Sequence, residues 1–240
     1  FLYFIEVLRL FFSKTSLTLN MAAFAPGREY LNAKKQIKEQ GSGSWVEGPM
    51  GEGTMAVHGA QAPDLQTGAI LTPVYLSTTY VQDSIDEYLD KGYSYTRSGN
   101  PTVDALSDRI AALENGAAAS CFATGMAATV TALTAFLKAG DHLVITDTSY
   151  GGTNRAVRIM FADLGVESTF VDMVNLQNVR DAIKPNTKML FTETPANPTL
   201  SLIDLEGASA IAREHNLVHV CDSTFATPVI TRPLDHGVDV

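Results

Sequence analysis

Between Asn100 and Val240 the apolar positions follow two alternating rhythms. Val103, Leu106, Ile110 and Leu113 recur at helical spacing behind Asn100-Pro101, a cap and a first-turn proline. Five short apolar runs follow: AAASCF (117–122), HLVIT (142–146), VESTFV (166–171), KMLFTE (188–193) and LVHVC (217–221). Each has the length and composition of a buried strand. Between them the pattern predicts four helices. They run from Gly125 to about Leu137, stopped by Gly140; from about Thr153 to Asp163, ended by Gly165; around Leu176–Ile183, broken by Pro185 and Asn186; and around Leu205–His215. Continuous apolar strands alternating with helices predict an α/β fold, a mostly parallel sheet with helices on both faces.

Upstream of Asn100 the rhythm is absent. Residues 54–99 include TGAILTPVYLSTTYVQ (67–82), rich in Val, Ile, Thr and Tyr and interrupted by Pro73, which predicts an extended arm needing a surface to lie on. Residues 1–53 form a leader and linker: GREYLNAKKQIKEQ (27–40) suits a short helix, and GSGSWVEGPMGEG (41–53) is glycine-rich linker. The opening FLYFIEVLRLFF contains Glu6 and Arg9, too short and too charged a run to span a bilayer. It is either translated sequence ahead of a start at Met21 or the remnant of an organellar targeting peptide. HGVDV (236–240) stops within the start of another strand, as a fragment would. The domain reading is therefore 1–53 leader and linker, 54–99 arm, and 100–240 an incomplete large domain.

Charge narrows the partners. With 17 Lys+Arg against 26 Asp+Glu and a net charge of −9, general affinity for nucleic acid or an anionic membrane is not expected. The two cysteines, Cys121 and Cys221, lie in apolar runs and suit reduced core residues of a cytoplasmic protein. No H-x-x-x-H, H-E-x-x-H or C-x-x-C spacing supports a metal site.

Ligands of open α/β sheets bind beyond the carboxyl ends of the strands. Those positions hold Ala123-Thr124-Gly125-Met126, the stretch Asp147 to Arg155, Glu193 to Pro198, and Asp222-Ser223-Thr224. Thr124 and Gly125 open a helix whose free N–H groups and dipole favour an anion, although Gly125 is equally suited to a simple tight turn. Tyr150 suits stacking on a flat ring or plain packing. Asp222, at the mouth of an apolar strand, needs a cation to face. Phosphate, flat ring and basic ring nitrogen together describe pyridoxal 5'-phosphate (PLP) better than any other common cofactor.

YSYTRSGNPT, FATGMAAT, SYGGTNR, ETPANPT and CDSTFATP, in this order over roughly residues 54–240, resemble the successive signatures of the Cys/Met-metabolism (trans-sulfuration) family of PLP enzymes. The resemblance implies the large domain of the fold type I PLP-dependent transferases. It pairs Asp222 with the cofactor's ring nitrogen and stacks Tyr150 on the ring, with a part in proton handling and substrate contact. It places the N–H groups of Gly125 and Met126 on the phosphate, Asn197 near the phenolic oxygen and Arg155 near the substrate. Tyr95 and Arg97 would reach the phosphate of a neighbouring subunit, implying a homo-oligomer, a dimer of catalytic dimers. Glu193 has either a supporting or a purely structural place.

Departures from the family pattern are Thr124 for the usual serine, Ser223 where asparagine is frequent, and Gly152 where methionine γ-lyases often carry cysteine. The last tilts the reading towards the cystathionine enzymes. The family's Schiff-base lysine and substrate-carboxylate arginine, with its C-terminal small domain, would lie beyond Val240, so the chain as it stands is expected to be inactive. The implied reaction is γ-elimination of L-cystathionine. The alternatives are γ-replacement on an activated homoserine, methionine γ-elimination, and a catalytically dead remnant that binds only partner subunits.

Overall fold

A computed structural model of the chain describes residues 3–4, 50–64, 66–82, 84 and 92–240. The expected helix within 27–40, the linker up to residue 49 and, apart from Tyr3 and Phe4, the opening run lie outside these. In chain order the elements are β1 (Tyr3–Phe4), α1 (Glu52–His58), α2 (Pro101–Leu113), β2 (Ser120–Cys121), α3 (Gly125–Phe136) and β3 (His142–Thr146). Then come α4 (Gly151–Arg155), continued by a π-helical stretch over Ala156–Phe161, and β4 (Glu167–Val171), α5 (Leu176–Ala182) and β5 (Thr187–Glu193). The series closes with α6 (Leu205–Glu214), β6 (Val218–Asp222), α7 (Thr227–Ile230) and a 3-10 turn over Pro233–His236.

Strands β4-β3-β5-β6 form one parallel sheet. Side chains alternate across the pleat, so each strand feeds two cores. Leu143, Ile145, Met189, Phe191 and Val220 pack with Ala132 and Leu133 of α3 and with Val157 and Phe161 of the π-helical stretch. Val144 and Leu190 pack on the opposite face with Val179 of α5 and Ala208 and Ile211 of α6. The expected sheet with helices on both faces is what forms. Side chains set the helix starts: Asn100 Oδ1 accepts the Thr102 N–H at 2.9 Å, and Asp204 Oδ1 accepts that of Gly207 at 3.0 Å. Among the described residues no helix is long and apolar enough to cross a membrane.

Three elements differ from the pattern. Of AAASCF only Ser120–Cys121 pairs, antiparallel to Tyr3–Phe4 and outside the parallel sheet. Ala117 and Ala118 are exposed and have too little apolar surface to hold a strand in the stack. Helix α1 forms at the end of the glycine-rich linker and buries none of its residues. Helix α4 starts two residues before the expected Thr153, at Gly151.

The chain divides into two compact units, residues 10–112 and residues 113–240 with 1–9. In the first, the extended arm is tied to the start of α2: Asn100 Nδ2 donates to the Tyr75 carbonyl at 3.1 Å, and Thr102 Oγ1 accepts the Tyr75 N–H at 2.9 Å. Val74, Leu76 and Val81 remain 73%, 89% and 80% exposed. In the second, the sheet holds polar groups that periodicity does not reveal. His219 of β6 is fully buried between Thr192 Oγ1 (3.0 Å) and Ser209 Oγ (2.9 Å). Burial, and secondarily the charge of Arg213, lower its pKa to about 3, which keeps it neutral.

Candidate active site

At the carboxyl ends of β3, β5 and β6 the unit of residues 113–240 encloses a cavity of about 540 Å³. Gly125, Met126, Tyr150 and Asp222 all line it. For Tyr150 and Asp222 the position follows from topology: in a parallel sheet every strand delivers its following loop to the same edge.

Each wall has a local cause. Thr124 is extended (φ −145°, ψ 153°) and its Oγ1 accepts the Ala127 N–H at 3.1 Å, which starts α3. The N–H groups of Gly125 and Met126 come first in the helix and have no intrahelical acceptor. Tyr150 precedes α4 and its side chain is half-exposed, so it is no packed core tyrosine. Asp222 ends β6, and its Oδ1 accepts both the N–H and the hydroxyl of Thr224. Among the described residues it has no ion-pair partner.

Two acidic residues frame this arrangement. Glu193 ends β5 opposite Asp222 in the parallel register and is 3% exposed. Its Oε2 accepts the Tyr150 N–H at 2.6 Å and its Oε1 the Asn197 N–H at 2.9 Å. Burial raises its pKa, the two N–H donors pull it back, and the charge of Asp222 adds to the rise. Glu114, which no motif pointed to, lines the cavity at 6% exposure, and its Oε2 has no hydrogen-bond partner among the described residues. Burial raises its pKa to about 7, opposed by Arg232 and reinforced by Asp235. Cys221 also lines the cavity, with its thiol pushed up to about 12 by burial, so it stays protonated.

The remaining sequence-predicted residues are placed elsewhere. Arg155 is exposed and outside the cavity lining. Its helix buries Thr153, Val157 and Phe161 at four-residue spacing, which turns position 155 to solvent. Asn197 is half-buried and likewise not in the lining; its backbone is held by Glu193. Tyr95 and Arg97 belong to the other unit, where the Arg97 guanidinium lies 4.5 Å from the Tyr95 ring centre.

A helix start, an exposed aromatic ring and a carboxylate that has no cation partner among the described residues thus share one cavity. Those donor types fit the phosphate, the ring and the ring nitrogen of a pyridoxal phosphate. Residues 53–240 match the family described as Cys/Met metabolism PLP-dependent enzyme. The chain belongs to that family.

Its relatives carry several reaction names. The chain is 43% identical over 187 residues to the cystathionine beta-lyase MetC of Bacillus subtilis (strain 168), covering 78% of this chain and 47% of that protein. It is 42% identical over 194 residues to the cystathionine gamma-synthase of Mycobacterium tuberculosis (strain ATCC 25618 / H37Rv), covering 81% and 50%. The crystal structure of cystathionine gamma-lyase from Lactobacillus plantarum complexed with L-serine superposes with a TM-score of 0.75 at 39% identity, over 79% of this chain and 49% of that one. The parallel sheet covered on both faces is the fold this chain shares with the PLP-dependent members of the family. The chain spans about half the length of the curated relatives it matches.

Proposed function

We propose that this chain is the cofactor-binding part of a PLP-dependent carbon–sulfur lyase that converts L-cystathionine and water to cysteine, 2-oxobutanoate and ammonia by γ-elimination. The observation that carries the proposal is the single cavity shared by the α3 N-terminus, Tyr150 and Asp222. When bound, PLP supplies an electron sink for negative charge developing beside the substrate nitrogen. The chain's own residues do the rest. Gly125 and Met126 donate their N–H groups to the phosphate, helped by the helix dipole. Asp222 accepts the ring N–H and keeps the ring cationic. Tyr150 covers the ring and carries protons through its phenol.

Asn197 is assigned to the phenolic oxygen and Arg155 to the substrate; reaching it requires Arg155 to turn from its solvent-facing position. Tyr95 and Arg97, on the arm of residues 54–99, are assigned to the phosphate of a second subunit, which makes the active unit a dimer and the assembly a pair of dimers. The exposed Val74, Leu76 and Val81 support an arm that lies on another chain. The sulfur amino-acid substrate follows from the family, and a cytoplasmic location is the reading retained for the protein.

Gly152 weighs against methionine γ-elimination, while γ-replacement and β-elimination are the rival reactions among relatives of similar identity. Incubating the complete protein with PLP and L-cystathionine distinguishes them. We expect 2-oxobutanoate. Pyruvate would assign β-elimination, and cystathionine formed from an O-acylhomoserine and cysteine would assign replacement. No spectral uptake of PLP by the protein would reject the whole proposal.

A further inference from the structure

Glu193 is held by two loops that no local rule connects. The connection between β3 and α4 supplies the Tyr150 N–H at 2.6 Å, and the connection between β5 and α6 supplies the Asn197 N–H at 2.9 Å. Each carboxylate oxygen takes one donor. A glutamine would offer one carbonyl oxygen and place its NH₂ against the other N–H, so two converging donors select a carboxylate. The start of α4, one residue beyond Tyr150, puts the positive end of that helix beside the same carboxylate. Glu193 also stands opposite Asp222 in the register, so both side chains leave the sheet on one face. Tyr150 is 46% exposed, so packing alone holds it weakly. Its backbone anchor decides where it sits.

We propose that Glu193 is a positioning residue of the cofactor site, clamping the Tyr150 and Asn197 loops to the end of β5 and so fixing the Tyr150 ring in the cavity that Asp222 also lines. The inference rests on the PLP reading for its effect on the cofactor, and on the hydrogen bonds alone for the clamp. Because Glu193 and Asp222 are neighbouring like charges, a cation bound at Asp222 favours the ionised clamp. Cofactor binding and loop closure therefore support one another.

Amide hydrogen exchange on the wild-type chain, Glu193→Gln and Glu193→Ala, with and without PLP, tests both parts. In Glu193→Ala the Tyr150 and Asn197 amides should exchange about 10- to 100-fold faster, the range expected on losing a charge-assisted hydrogen bond. Amides of β3, β5 and β6 should keep their rates. Glu193→Gln should keep one loop amide protected and release the other. PLP affinity, read by absorbance, should weaken at least about tenfold in Glu193→Ala, and PLP should slow Tyr150 amide exchange in the wild type only. Unchanged loop exchange in a folded variant overturns the clamp. Faster exchange with unchanged PLP affinity overturns the positioning role. If Glu193→Ala does not fold, the Gln variant decides both points. If the wild type takes up no PLP, the cofactor reading fails while the exchange comparison still decides the clamp.

Discussion

The Tyr150 ring fills the space that a side chain at position 152 would need: a Cβ on Gly152 would lie 2.6 Å from Tyr150 Cε1 and 2.8 Å from Met126 Sδ. Both obstacles are flexible and Tyr150 is half-exposed, so a larger residue moves the ring and leaves the fold intact. Gly152→Ala is expected to change the unfolding midpoint by no more than about 2 °C, the size of a surface substitution. PLP affinity should fall about tenfold. Intact affinity would show that the Tyr150 ring does not contact the cofactor.

Asp222 carries the electrostatic part of the proposal. Asp222→Ala should retain phosphate-anchored PLP and lose roughly 10²–10³-fold or more in turnover, the scale of losing a preorganised electrostatic stabiliser. Steady-state rates on the complete protein check this; near-normal turnover would remove Asp222 from the site.

Glu114 makes stability depend on pH with a definite sign. Its folded pKa of about 7 lies above the ordinary value of 4.5. The folded chain therefore holds a proton that the unfolded chain releases between these values. The stabilisation is complete below pH 4.5 and is lost as pH rises through 7, an effect of about 3 kcal/mol at most. Denaturant unfolding of wild type and Glu114→Gln at pH 5 and pH 8 isolates it. The wild type should lose stability relative to the Gln variant on going to pH 8, and parallel behaviour would contradict the assignment.

His219 has the opposite sign. Its folded pKa of about 3 lies below the ordinary 6.5, so its contribution is complete above pH 6.5 and is lost as pH falls towards 3. Its imidazole NMR signals should show no titration above about pH 4. A midpoint near 6.5 would mean that the bonds to Thr192 and Ser209 do not persist in solution.

The reach of the arm into a second subunit is open to a mixing experiment on the complete protein. An Arg97→Ala chain and an Asp222→Ala chain, each weakly active alone, should recover part of the activity after subunit exchange, because some sites then receive both intact residues. No recovery with exchange demonstrated would place Arg97 in its own subunit's site.

Local rules explain what the sequence by itself determined. Apolar runs of strand length, and helix starts at Asn100 and Thr124, depend on residues within a turn of one another, so most strands and helices and the loops after them were legible. The parallel rule places Tyr150 and Asp222 at one edge, whereas the run before Gly125 stays outside the sheet. AAASCF was misplaced because strand partners are settled by which side chains find a core. Only the tertiary structure decided that Glu193 holds Tyr150 across 43 residues, that Glu114 lines the cavity, and that His219 lies between Thr192 and Ser209. These pairings depend on strand order and on the fit of neighbouring loops, which hydrophobic period along one chain does not encode.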